Sequence, residues 1–303
     1  MKTPLLRGLL LLTFLSGCGA VEESQPTDPS PEQLGRSAQA EETDNGLAFN
    51  GLAFNGLAFN GLAFNGLAFN GLSSSNFASW FQQDSANASL FMKYLVRCAV
   101  PDGQTRTYTS GTTTYTWTGG LGLATGWASG APATLDEQQT VSACIAALTN
   151  KYGRSVQVSV LGLTAQHQPI PTSGAEQAAY TLHEGCFFGN LFNGDGLFVG
   201  NDQGMLLPNQ SSLRACALGG PAACAPALTH VGDCHHTCVM DSTGTYFTSC
   251  THNGKTYHAL TTRLPPQDIY TCGDGHCQFP EVCAKNGPDN SPGACKNDCG
   301  TCG

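Results

Sequence analysis

From Ser73 onward, apolar positions recur at two periods, and the alternation between them predicts the elements. Phe77, Trp80 and Phe81 have helical spacing behind the N-capping serines Ser73, Ser74 and Ser75. Leu90, Phe91, Tyr94 and Leu95 continue a helical stripe after a break near Asp84-Ser85. The stretch QTRTYTSGTTTYTWTG then switches to a Thr-rich β pattern, with Ser110-Gly111 as its hairpin turn. A further helix starts at the capping box Thr134/Glu137, uses Val141, Cys144, Ile145 and Leu148 as its apolar face, and stops at Gly153. Val156, Val158 and Val160 alternate as a strand.

After Ser173 the pattern weakens into glycine-rich loops and short apolar runs such as GCFFGNLF, until TYFTSCTH-NG-KTYHALTT. There, Asn253-Gly254 predicts a type I′ turn between two β-prone arms. The expected fold class is α+β: a disulfide-reinforced globular domain of short helices and antiparallel hairpins over residues 73–266, plus a small cysteine-rich C-terminal module over 267–303. Pro265-Pro266 marks the boundary. The module has six cysteines and almost no apolar side chains, so hydrophobic burial alone cannot fold it.

The pattern before Ser73 is of a different kind. Lys2 and Arg7 precede the short apolar run Leu9–Leu12 and Leu15, the layout of a secretory signal too short to span a bilayer. Leu15-Ser16-Gly17-Cys18 resembles the lipobox of bacterial lipoproteins. That resemblance implies removal of residues 1–17, acylation of Cys18 by chains such as palmitate, and a stable membrane anchor. Residues 18–44 are polar, acidic and proline-containing, as expected of a disordered tether.

Residues 45–72 repeat Asn-Gly-Leu-Ala-Phe five times and begin a sixth copy. The period resembles that of pentapeptide-repeat solenoids, but five copies build little more than one coil, and a solenoid needs stacked turns to bury its core. A spacer with adhesive Leu and Phe side chains is the expectation, reaching roughly 90 Å if fully extended.

Composition narrows the function classes. The net charge is −9, and removing residues 1–17 takes Lys2 and Arg7 but no acid, leaving 11 basic against 22 acidic residues, or −11. No basic stripe exists, so a nucleic-acid partner is not expected. Of the 15 cysteines, setting Cys18 aside leaves 14: Cys98, Cys144, Cys186, Cys216, Cys224, Cys234, Cys238, Cys250, Cys272, Cys277, Cys283, Cys295, Cys299 and Cys302. In an exported chain that even number predicts up to seven disulfides, with the connectivity left open.

Candidate chemistry is sparse. Cys234, His235, His236 and Cys238, with His230, His252 and His258 near in sequence, carry zinc-type ligands, but their irregular spacing favours disulfides over metal. His183-Glu184 lacks the second histidine of HExxH, since position 187 is Phe, although a His-Glu pair in a cleft supplies a general acid and base. Asp274, Glu281 and Asp298 offer oxygens to calcium but read more simply as solvated loop acids. Trp117 and Trp127 suit either a ligand groove or the core, and the core is expected. No G-x-S-x-G elbow or phosphate loop is present. No cofactor is expected.

The module, CGDGHCQFPEVCAKNGPDNSPGACKNDCGTCG, resembles disulfide-rich repeat modules of myxobacterial surface proteins. FMKYLVRCAV, TWTGGLGLATGW, VSACIAALTNKYG and HEGCFFGNLF are similar to segments of a widespread set of myxobacterial lipoproteins. The resemblance implies an extracellular setting and the same domain boundaries, and it attaches no activity. The combined expectation is a lipid-anchored protein of the cell envelope, at the outer membrane or cell surface, that binds or scaffolds an unknown envelope or extracellular partner without catalysis. The other reading is a membrane-anchored hydrolase or metal-binding protein using the 183–258 His/Glu/Cys region.

Overall fold

The structure, a computed structural model, describes residues 41–42, 66–67, 69–285 and 293–302. The expected signal segment, the expected acylation site Cys18 and nearly all of residues 18–72 lie outside those residues.

Glu41–Glu42 (β1) forms a two-residue antiparallel edge on the central sheet, which the polar composition there did not predict. The domain's packing also reaches back past Ser73. Gly66, Leu67 and Leu72 are buried, Leu67 N–H donates to the Trp127 carbonyl, and Arg106 Nε donates to the Leu67 carbonyl. The end of the repeat, with the short helix Phe69–Leu72 (α1), therefore belongs to the folded body.

Ser75–Gln83 (α2) and Ser85–Ala99 (α3) occupy the two predicted helical stripes. Ser74 caps the first by accepting from Phe77 N–H, and Asp84 caps the second by accepting from Asn87 N–H. That is why the helix breaks where it does: Asp84 satisfies the donors of a new N-terminus. Thr105–Ser110 (β2) and Thr113–Thr118 (β3) form the predicted hairpin, turning through Gly111 at φ +60°. Its inner face closes an aromatic cluster, with Phe81 edge-on to Tyr108 and Tyr115, both at 4.8 Å. Trp117 and Trp127 are core residues.

After the short turn Thr125–Ala128 (α4) comes Leu135–Ala147 (α5), entered through the predicted reciprocal capping box of Thr134 and Glu137. It ends at Ala147, well before Gly153, where Thr149 Oγ1 bonds back to the Ile145 carbonyl. From Glu137 almost every side chain of α5 is buried, including Glu137, Gln139, Thr140 and Ser142. A helix covered on all sides sits between layers, and α5 packs on the central sheet on one side and on α3 and α2's layer on the other.

The sheet comprises Val158–Gly162 (β4), Leu182–Asn190 (β5), Gly196–Asn201 (β6), Thr229–Asp233 (β8), Cys238–Met240 (β9), Phe247–His252 (β10) and Lys255–Leu264 (β11), with β1 at its edge. Its order is β1-β4-β11-β5-β6-β8, β11 also pairing with β10 and β10 with β9; only β6 and β8 run parallel. Gly174–Ala179 (α6) leads into β5, and Cys234–Thr237 (α7) follows β8. The predicted type I′ hairpin joins β10 to β11, with Asn253 at φ +49° and Gly254 at φ +75°.

The run read from sequence as loop and short apolar segments is thus the central strand β5, buried from Glu184 to Asn190. Two-sided burial removes the alternation that marks a strand. Its glycine at 185 permits close approach, since a Cβ there would lie 2.4 Å from the Gly200 carbonyl oxygen and 2.5 Å from Ala217 Cβ.

Between β9 and β10, Asp241 organises the turn. Burial pushes its carboxyl up, but donors from the Thr243 side chain and the Thr245, Tyr246 and Thr243 backbone outweigh it and bring the pKa to about 2. An unfolded aspartate titrates near ~4, so this contribution is complete above about pH 4 and is lost as pH falls towards about 2. Asp241→Asn should lower the denaturation midpoint clearly at pH 6 and hardly at pH 2; equal losses at both values would refute the charge-based account.

All seven expected disulfides form, using all fourteen cysteines. Cys98–Cys144 ties α3 to α5, Cys186–Cys234 ties β5 to α7, Cys238–Cys250 ties β9 to β10, and Cys216–Cys224 closes a loop. In the tail, Cys272–Cys295, Cys277–Cys299 and Cys283–Cys302 join first to fourth, second to fifth and third to sixth. Lys296–Cys299 (α8) carries the last turn. The module is fastened to the domain by Tyr270–Thr271 (β12) pairing with Gln210–Ser211 (β7), and by Phe279, which meets the Tyr152 ring edge-on and the Arg154 guanidinium at 4.1 Å. Among the described residues no helix is long and apolar enough to cross a membrane.

Candidate functional site

The predicted His183-Glu184 pair is divided between two environments. Near the start of β5 the ladder with β11 shifts register between Thr262 and Arg263, so the strand is irregular at this point. Glu184 is fully buried and receives Arg214 Nε at 2.9 and 3.1 Å on its two oxygens, with the Thr262 hydroxyl donating at 2.6 Å. Arg214 Nη2 donates to the Ala147 carbonyl at the end of α5. Glu184 is therefore committed to an internal ion pair and shares no cleft with His183.

His183 goes instead to Asp202. Its Nδ1 lies 2.8 Å from Asp202 Oδ2, and His235 Nε2 lies 3.0 Å from Oδ1 of the same buried carboxylate. One aspartate thus has a partly exposed imidazole on each oxygen. His235 also meets the Phe247 ring edge-on at 5.2 Å, beside two adjacent disulfides. There Cys186 Sγ and Cys238 Sγ approach to 3.4 Å, and Gly200 leaves room for the sulfurs, since a Cβ would stand 2.9 Å from Cys186 Sγ.

Three of the four residues of the zinc alternative have other partners. Cys234 and Cys238 are each bonded to another cysteine, His235 turns to Asp202, and no coordination sphere of Cys234, His235, His236 and Cys238 is assembled. His230 lies apart, its Nε2 3.0 Å from the Ala217 carbonyl, and His252 packs against the Phe198 ring at 4.5 Å. The tail acids serve its loops: Asp298 accepts from the N–H groups of Gly273, Asp274 and Gly275, Asp274 accepts from that of His276, and Glu281 from that of Gln278.

A different convergence forms at the other end of the sheet. His258 on β11, His167 in the turn after β4 and Asp136 in the first turn of α5 bring one imidazole nitrogen each, or a carboxylate oxygen, within 4.8 Å of one another. Nε2 of His167 is 3.4 Å from Asp136 Oδ2, and Nε2 of His258 is 3.3 Å from Oδ1. Burial lowers the His258 pKa; Asp136 draws it back up and His167 lowers it again. His167 is held at φ +58° by a tight turn in which its N–H donates to the Thr164 carbonyl and Thr164 N–H to that of Gln168.

No family model, curated protein or solved structure matches this chain.

Of the histidines singled out in the sequence, His183 and His235 meet on Asp202, and His258 joins two residues that sequence reading passed over. Asp136 and His167 belong to no motif: their only sequence signal was the predicted helix start at Thr134, which places Asp136 at its exposed edge.

Proposed function

We propose that the chain is a lipid-anchored protein of the cell envelope whose disulfide-braced ectodomain binds or scaffolds an envelope or extracellular partner. One observation carries this reading. The seven disulfides take up all fourteen cysteines of the described residues, and the fifteenth in the sequence, Cys18, is the residue the lipobox pattern would acylate. Disulfides at this density belong to oxidising compartments, the setting that an export signal implies. The resemblance to myxobacterial lipoproteins points the same way.

A hydrolase built on His183 and Glu184 as acid and base loses its support, because Glu184 is saturated by Arg214 and Thr262. The test of anchoring is fractionation of producing cells. The wild type should sediment with membranes and incorporate labelled fatty acid, whereas Cys18→Ala should do neither. Continued membrane partition of that variant, without label, would show that something other than acylation holds the protein there.

A further inference from the structure

We propose that Asp136, His167 and His258 form a binding site for a divalent transition metal ion, with zinc the best match, and that the site keeps an open position towards solvent. The inference goes beyond anchoring and holds whether or not Cys18 is acylated.

The donor set comes first. Two neutral imidazoles and one carboxylate suit borderline ions such as zinc, and three protein ligands with a vacant fourth place distinguish reactive or exchangeable sites from closed structural ones. The distances come second. Nitrogen-to-oxygen separations of 3.4 and 3.3 Å are longer than a good N–H···O hydrogen bond. They run to the two different oxygens of the Asp136 carboxylate, and one ligand atom from each residue lies within 4.8 Å of the others, a span that one ion with bonds of roughly 2.0–2.1 Å bridges after small side-chain rotations. Both imidazoles aim the same nitrogen, Nε2, at one carboxylate, and their rings stand 5.1 Å apart.

The third point is how firmly the ligands are held. His258 lies in β11, and its backbone N–H donates to Gln139 Oε1 on the same helix that carries Asp136. β4 pairs with β11 up to Leu260↔Gly162, so the turn bearing His167 emerges beside His258. That turn is fixed by Ala165 N–H on the Leu123 carbonyl and by two N–H donors on Thr164 Oγ1. A histidine at φ +58° is uncommon, and such residues persist where the surroundings hold them. The three ligands thus come from three separate elements, with β11 bonded both to the helix that carries Asp136 and to the strand that leads into the His167 turn. The site is open on the outside, where His167 is 60% exposed and Asp136 44%, while His258 is only 17% exposed.

The experiment uses the oxidised protein as isolated from producing cells in detergent, after chelator treatment and with thiol titration to show that all seven disulfides are closed. Zn²⁺ alone is the probe, measured by competition with a chromophoric chelator, and Co²⁺ reports geometry through its visible spectrum. One equivalent of Zn²⁺ and an intense, low-symmetry Co²⁺ spectrum are expected. Asp136→Asn, His258→Gln and His167→Asn should each weaken Zn²⁺ binding by more than about tenfold, the loss already seen on removing a group that only orients a ligand. Asparagine at 167 tolerates the left-handed backbone, and unchanged metal-free melting will show that each variant folds. His235→Ala, at the separate Asp202 cluster, should leave binding unchanged. Sub-stoichiometric binding, affinity indifferent to the three substitutions, or equal loss in His235→Ala would overturn the assignment.

Discussion

Glu184→Ala should destabilise the folded protein by roughly 3–5 kcal/mol, the usual cost of leaving one partner of a buried ion pair uncompensated. Glu184 and Arg214 are each only 1% exposed, so neither charge can turn to water when its partner is removed. The Thr262 hydroxyl would lose its acceptor as well, and Arg214 Nη1 already makes no hydrogen bond among the described residues. Burial and the neighbouring Glu184 charge hold the Asp268 carboxyl above its ordinary range, while Arg214 draws it back down, so a third charged group feels the same pair. Replacing both partners, as Glu184→Leu with Arg214→Met, removes two desolvation penalties together and should recover most of the loss. Urea denaturation of the single variants and the double variant gives the comparison. A cost below about 1 kcal/mol for Glu184→Ala would place the pair in a solvated environment and reopen Glu184 for chemistry.

The same residue shows what was legible in the sequence. Local signals are legible because their causes are local: Ser74, Asp84 and the Thr134/Glu137 box satisfy backbone donors within one turn, and Asn253-Gly254 fixes a hairpin through its own backbone. The fourteen cysteines were read as bridged from compartment and parity, and no local rule could pair Cys186 with Cys234 across 48 residues. β5 was missed because strands buried on both faces lose their alternation, and its glycines, there for close packing, looked like loop. The candidate metal ligands were missed for a related reason. His167 and His258 are brought together by β4–β11 pairing, and Asp136 by a helix crossing that pair, so their proximity exists only in the tertiary fold. Sequence neighbours such as His183 and Glu184 suggest a pair, yet each has a partner elsewhere: Asp202 and Arg214.

The disulfides divide the molecule into a body that they reinforce and a tail that they create. Cys98→Ala/Cys144→Ala removes a link between α3 and α5 that closes 46 residues, for which chain entropy alone gives roughly 4 kcal/mol. The helices retain their buried contacts, including Phe91, Leu95, Val141 and Ile145, so the domain should still fold. Its melting temperature should fall by about 8–16 °C, given roughly 2–4 °C per kcal/mol for a domain of this size. Cys277→Ala/Cys299→Ala removes a link of similar kind, separated by 22 residues and worth roughly 3 kcal/mol by the same relation. In the tail, however, little burial stands behind it: Phe279 and Val282 are exposed, and Ala284, Cys295 and Glu281 are the buried side chains among the described residues from 272 onward, beside Pro280. The module should therefore open locally while the domain's main melting transition stays in place. Limited proteolysis with mass spectrometry separates the cases, since new cuts should fall after Cys272 in the tail variant and the body should remain intact. Cuts confined to the body, or a large fall in its melting temperature, would mean that β12–β7 pairing and the Phe279 contacts make the module a structural part of the domain.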